Sequence, residues 1–157
     1  MVTESREHPA DTGDGERLRG PEALHHARER MDTAIVASAE DAMGWAGGLH
    51  DALDELADVL RRHRDASERP GGSLDEMERM EPRLSGRIEQ SRAEHQPLID
   101  RTEELRDTVA RQMEGGRLEV NHLRGVAGRL ESDFRHHIAA GIELTYEAFE
   151  RDMGGEG

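Results

Sequence analysis

Three of the nine histidines in this chain, His63, His95 and His137, fall on the apolar stripes of three different predicted helices. Inward-facing imidazoles on several helices of one bundle are a common way for a helical core to hold a metal ion. Neutral imidazole suits iron, zinc, copper and nickel, and added carboxylates favour iron or manganese. An unpaired buried polar group costs ~1–3 kcal/mol. Three of them on three helices therefore need either a shared ligand or three separate partners. The nearest acids are Glu68, shortly after His63, and Glu143, shortly after His137. Five or six residues on, a side chain lies about 140° or 120° around the helix axis from its histidine. A helix end, a π-bulge or a tilt would turn such an acid inward, and Glu68, close to a helix end, is the better placed. Glu81 and Glu94 are further candidates, for which a solvated acid is the favoured reading.

The remaining histidines read as surface groups. His8 lies in a polar tail and His122 near a helix start. His25 and His26 sit off the apolar centre that Leu24 occupies, so His25 would reach inward only if its helix were rotated. His50 and His136 each stand one position off a stripe.

Four helices must position these residues. Gly20-Pro21 opens the first, with proline at an early position where its missing N–H costs nothing. Its stripe is Leu24, Ala27, Met31, Ile35 and Ser38. Asp41 is a candidate cap for the second helix, whose start is weakened by Gly44, Gly47 and Gly48, with Trp45 as a buried anchor. Its stripe is Leu49, Leu53, Leu56, Leu60, His63 and Ser67, ended by Pro70-Gly71-Gly72. Ser73 and Glu76 have the spacing of a capping box. The third helix then carries Met77, Glu81, Leu84, Ile88, Ser91, His95, Leu98, Thr102, Leu105 and Val109. Pro82 predicts a break near Glu81, and Pro97 a kink near Ala93. Gly115-Gly116 makes the next turn. The fourth helix carries Leu123, Ala127, Leu130, Phe134, His137, Gly141, Leu144 and Ala148, closed by Gly154-Gly155. The Tyr146–Phe149 run reads as packing and surface. Short links between four helices predict an all-α, up-down-up-down four-helix bundle over residues 20–153, between tails at 1–19 and 154–157.

Composition narrows the function. A net charge of −14 argues against binding nucleic acid or anionic lipid. All the basic side chains are arginine. No cysteine is present, which rules out thiolate ligands, disulfides and thiol nucleophiles. No apolar run reaches membrane-spanning length and no signal-peptide core is visible, so a cytoplasmic protein is expected. Phosphate loops, nucleophile elbows and a His-Glu-x-x-His pair are missing, so enzymatic turnover is the weakest expectation.

Four segments together resemble the hemerythrin-like (HHE cation-binding) family over roughly residues 21–152. They are LADVLRRHRDASERPGGSLDEM, EPRLSGRIEQSRAEHQPL, FRHHIAAGIELTYEAFERDMGG and, more weakly, HHARER. The resemblance implies a four-helix bundle that holds non-haem iron, mono- or di-nuclear, on His63, His95 and His137. Glu68 and Glu143 would be its carboxylate partners. It implies binding, sensing or detoxifying O2, NO or peroxide, or holding iron. The family's acids one turn after the second- and fourth-helix histidines are Ser67 and Gly141 here, so those two ligands are not carried over. Two other readings stand beside it. One is a metal-free bundle that acts through its acidic surface or by forming homo-oligomers, and the other is a bundle that ligates haem through two histidines.

Overall fold

The computed structural model describes residues 20–150, apart from the side chain of Glu150. The expectations for residues 1–19 and 151–157, including His8 and Gly154-Gly155, lie outside the described residues. Five α-helices account for most of the described chain: α1 (Gly20–Val36), α2 (Ala42–Glu68), α3 (Ser73–Met80), α4 (Ser85–Gly115) and α5 (Val120–Thr145). A 3-10 turn, Pro82–Leu84, joins α3 to α4, and a π-helical turn, Tyr146–Glu150, follows α5. No described residue is in a strand, and no helix among them is long and apolar enough to cross a membrane.

The predicted third helix is two helices. Pro82 cannot donate to the carbonyl one turn back, and its ring clashes there. Glu81 consequently leaves helical geometry at φ −140° and ψ 78°. Pro97 has a milder effect, since α4 runs through it unbroken. The expected capping box does not form either. The N-cap of α3 is Gly72, Ser73 is already helical, and Asp75 Oδ2 reaches back to accept the Gly71 N–H at 3.0 Å. Asp41 does cap α2, with its Oδ1 accepting the Gly44 N–H at 3.1 Å. Gly116, at φ +67°, takes the left-handed conformation that ends α4.

Pairs of facing side chains fix the register. His26 and Arg30 of α1 meet Glu55 of α2. Arg61 of α2 meets Glu103 of α4, and Arg106 of α4 meets Asp54 of α2. Arg101 of α4 meets Asp133 of α5, and Arg28 of α1 meets Glu131 of α5. On α2 and α4 the later Arg61 faces the earlier Glu103 while the earlier Asp54 faces the later Arg106, and on α4 and α5 Arg101 faces Asp133 while the earlier Glu94 faces the later His137, so these two pairs of neighbours run antiparallel. The short α3 packs on α2, α4 and the π-helical turn.

Burial follows the stripes, though at the end of α1 Ile35 is half-buried and Ser38, beyond the helix, is exposed. Leu24, Ala27 and Met31 of α1 are buried, as are Leu49, Leu53, Leu56 and Leu60 of α2. All the stripe positions of α4 from Ile88 to Val109 are buried. Trp45 is buried at the start of α2, with the Arg124 guanidinium over its ring at 5.2 Å. The apolar residues form two clusters. The larger runs from Trp45 and Val109 to Leu60, Leu98 and Phe134. The smaller holds Leu74, Met77, Leu84, Ile88, Leu144 and Ala148.

Candidate metal centre

A polar layer separates the two apolar clusters. Along α4 the order is Ile88 of the small cluster, then Ser91 and His95, then Leu98 of the large one. Along α5 it is Phe134 of the large cluster, then His137, then Leu144 of the small one. On α2, His63 follows Leu60, and Ser67 lies one turn further on, its hydroxyl donating to the His63 carbonyl at 2.7 Å. The three stripes reach this level together because the antiparallel register brings His63, His95 and His137 to one height.

The three imidazoles touch. Ring centroids are 4.9 Å apart for His63 and His95, 4.8 Å for His95 and His137, and 5.6 Å for His63 and His137, all edge to face. One nitrogen from each ring lies within 4.8 Å of those of the other two. His95 and His137 are almost fully buried and His63 partly so. Two of the rings are held from outside. His95 Nδ1 donates to Glu68 Oε2 at 2.7 Å, and His137 Nδ1 donates to Glu94 Oε1 at 2.9 Å. An ionised carboxylate only accepts, so a neutral ring in such a contact carries its proton on Nδ1 and leaves Nε2 as a lone pair. His95 Nε2 is buried with no hydrogen-bond partner.

The electrostatics favour the neutral form of His63 and His95. Burial, and then the neighbouring His95 and His137, lower the His63 pKa from 6.5 to about 4. Burial lowers His95 as well, against the opposing effect of Glu68. Neutral imidazole is the form that can ligate a metal. Imidazole nitrogens bound tetrahedrally at ~2.0–2.1 Å stand ~3.3 Å from one another. The nitrogens here lie within 4.8 Å of one another, so binding an ion would draw them closer.

The structure thus brings together His63, His95 and His137 with Glu68 beside them, and leaves Glu143 apart. Glu68 is drawn to the outer side of His95, as its place at the last turn of α2 allows. Glu143 is not brought to the cluster. Its side chain is 73% exposed and lies 3.8 Å from Arg87. It stands too far around α5 from His137, and the π-helical turn that could have re-aimed it begins only at Tyr146. Glu94, read from the sequence as solvated, instead bonds His137. Its signal was available, since it directly precedes the inward His95 and so sits at the edge of the same face. The α1 histidines stay out: His25 pairs with Glu29 and His26 with Glu55, both near the surface.

Among the described residues, no α1 side chain hydrogen-bonds a histidine of the cluster. Arg28 is level with Glu131, and Glu55 with α1 residues two either side of Arg28. Stepping back eight residues, ~12 Å at 1.5 Å each, puts Gly20 level with His63 and with Ala139. The described part of α1 therefore starts at the height of the histidines, with Leu24 its first buried residue.

Gly141 offers a test of the layer's spare room. A Cβ added there would meet no atom within 4 Å. Gly141→Ala is expected to stabilise the protein by about 0.5–1 kcal/mol, as in an ordinary helix interior. A denaturant midpoint shifted downward instead would show that the empty position matters to the packing.

Comparisons of this chain with protein-family models, with curated proteins and with solved structures give no match.

Proposed function

We propose that this chain is a metal-binding four-helix bundle of the hemerythrin-like kind, with α1, α2, α4 and α5 as its four helices. We further propose that it holds a single divalent transition-metal ion on His63, His95 and His137. The observation that carries this reading is His95 Nε2, a buried lone pair with no partner, which belongs to a ring in contact with two other imidazoles. A stable core rarely leaves such an atom orphaned without a use for it. The antiparallel register of α2, α4 and α5 and the neutral state favoured for His63 support the same reading.

The donor set fits one ion and not two. Ser67 is engaged with the His63 carbonyl, Gly141 has no side chain, and Glu143 points to solvent. That leaves three imidazoles and no bridging carboxylate. Iron remains our first choice of metal from the family resemblance, and zinc, copper and nickel suit the same ligands. Iron held by three imidazoles would have open positions for O2, NO or peroxide, and handling one of these, or holding the iron itself, is the role we assign. A haem is a poorer fit. The three rings pack against one another, so a macrocycle between any two would have to displace the third.

Elemental analysis with a UV-visible spectrum, on untagged protein purified aerobically without chelator from iron-replete cells, tests the proposal. About one transition-metal ion per chain is expected. Two irons with oxo-to-iron charge-transfer bands would replace it with a dinuclear centre. A Soret band would replace it with haem. No metal of any kind would leave a helical bundle that acts through its acidic surface.

A further inference from the structure

Glu68 and Glu94 are arranged alike although they lie on different helices. Each accepts the Nδ1 proton of a histidine on the next long helix. Glu68 of α2 takes that of His95 on α4, and Glu94 of α4 takes that of His137 on α5. The rings are 1% and 3% exposed, whereas the acids are 28% and 38% exposed. The carboxylates therefore stand on the outer side of the rings, between them and solvent. A bond on Nδ1 leaves Nε2, across the ring, free to ligate, and in His95 that atom is buried without a partner.

We propose that Glu68 and Glu94 are positioning residues that lock His95 and His137 as Nδ1–H tautomers, so that both present Nε2 to one ion with an all-imidazole ligand set. The inference rests on the metal-binding reading above and goes beyond it in assigning the two acids a role outside the ligand shell. Three physical effects follow from the arrangement. A carboxylate on the far nitrogen fixes ring orientation and raises the basicity of the ligating one. Two negative charges close to the centre offset a divalent ion without occupying its coordination positions. Each bond also crosses a helix interface, so the α2–α4 and α4–α5 contacts are tied to the orientation of the rings. Among the described residues His63 has no such carboxylate. It is the ring left free to change tautomer, and it is also the least buried of the three.

The experiment uses the whole chain and reads tautomer and metal affinity separately. In the metal-free protein, 15N NMR at neutral pH is expected to show His95 and His137 as Nδ1–H tautomers. Glu68→Ala should redistribute the tautomer of His95 alone, and Glu94→Ala that of His137 alone. In Zn2+ competition titrations each alanine variant should bind about 10–100-fold more weakly than wild type at an unchanged one ion per chain. Glu68→Gln and Glu94→Gln can still accept the Nδ1 proton, so they should keep the tautomer and lose less affinity. They also provide the test if an alanine variant folds poorly. Unchanged tautomers and unchanged Zn2+ affinity in all four variants would overturn the inference while leaving the metal site standing. Two Zn2+ in wild type falling to one in a variant would overturn it by making that acid a direct ligand. Wild-type protein that takes up neither Zn2+ nor Fe2+ would overturn the metal-binding reading itself.

Discussion

Zn2+ at about a thousand times its dissociation constant is expected to stabilise the native state by ~4 kcal/mol, and His95→Leu to abolish that increment. Binding to the folded state alone shifts unfolding by mass action, and a single site made of three nitrogens loses most of its affinity when one is removed. The sign of the same substitution in the metal-free protein should be opposite. His95 Nε2 is buried and unpaired, and such an atom costs ~1–3 kcal/mol. Leucine removes it and adds apolar contact between Ile88 and Leu98, the neighbouring clusters on α4. The hydrogen bond to Glu68 is lost, but that acid is partly exposed and can turn to water. A net gain of about 1 kcal/mol in the metal-free variant is therefore expected. Urea melts of wild type and His95→Leu, with and without Zn2+, measure both effects. Wild type that gains nothing from Zn2+ would refute the site. A metal-free variant several kcal/mol less stable than wild type would show that His95 serves packing first.

The second large effect is acid lability. Burial, His95 and His137 hold the His63 pKa down from 6.5 to about 4. Between those values the unfolded chain binds a proton that the folded chain does not. Stability therefore falls as pH falls. The contribution is fully present above about pH 6.5 and is lost as pH drops through about 4. A shift of this size corresponds to ~3 kcal/mol for one group. His95 is lowered too and adds in the same direction. Metal-free wild type is expected to lose stability steeply across this window, and His63→Leu to flatten the loss. Chemical denaturation at a series of pH values reads the slope. Parallel curves for the two proteins would show that acid unfolding is governed by other groups.

Much of the helical layout was legible because stripe spacing reports directly on which face of a helix is dry. Leu123, Ala127, Leu130, Phe134, His137 and Leu144 of α5 and Ala148 of the turn after it lie on the predicted inner stripe and are buried, while Gly141 on the same stripe is half-buried. Asp41 and Gly116 also act where their local chemistry put them. Another local signal lost to a competitor close in sequence. Ser73 yielded the cap position to Gly72, whereas Pro82 broke the helix at Glu81, as its missing N–H requires.

By itself, the sequence determined that three imidazoles lie on the inner faces of three helices, because burial periodicity is a property of one helix at a time. Which acids serve them was decided only by the tertiary structure. Glu68 and Glu143 looked comparable when angles were measured around their own helices. Glu68 found His95 on the facing helix, Glu143 found Arg87 near the surface, and Glu94 reached His137 across the α4–α5 interface. A hydrogen bond between helices depends on their relative height and rotation to within a fraction of an ångström. Those quantities are set by the packing of both apolar clusters together and are encoded in no single segment.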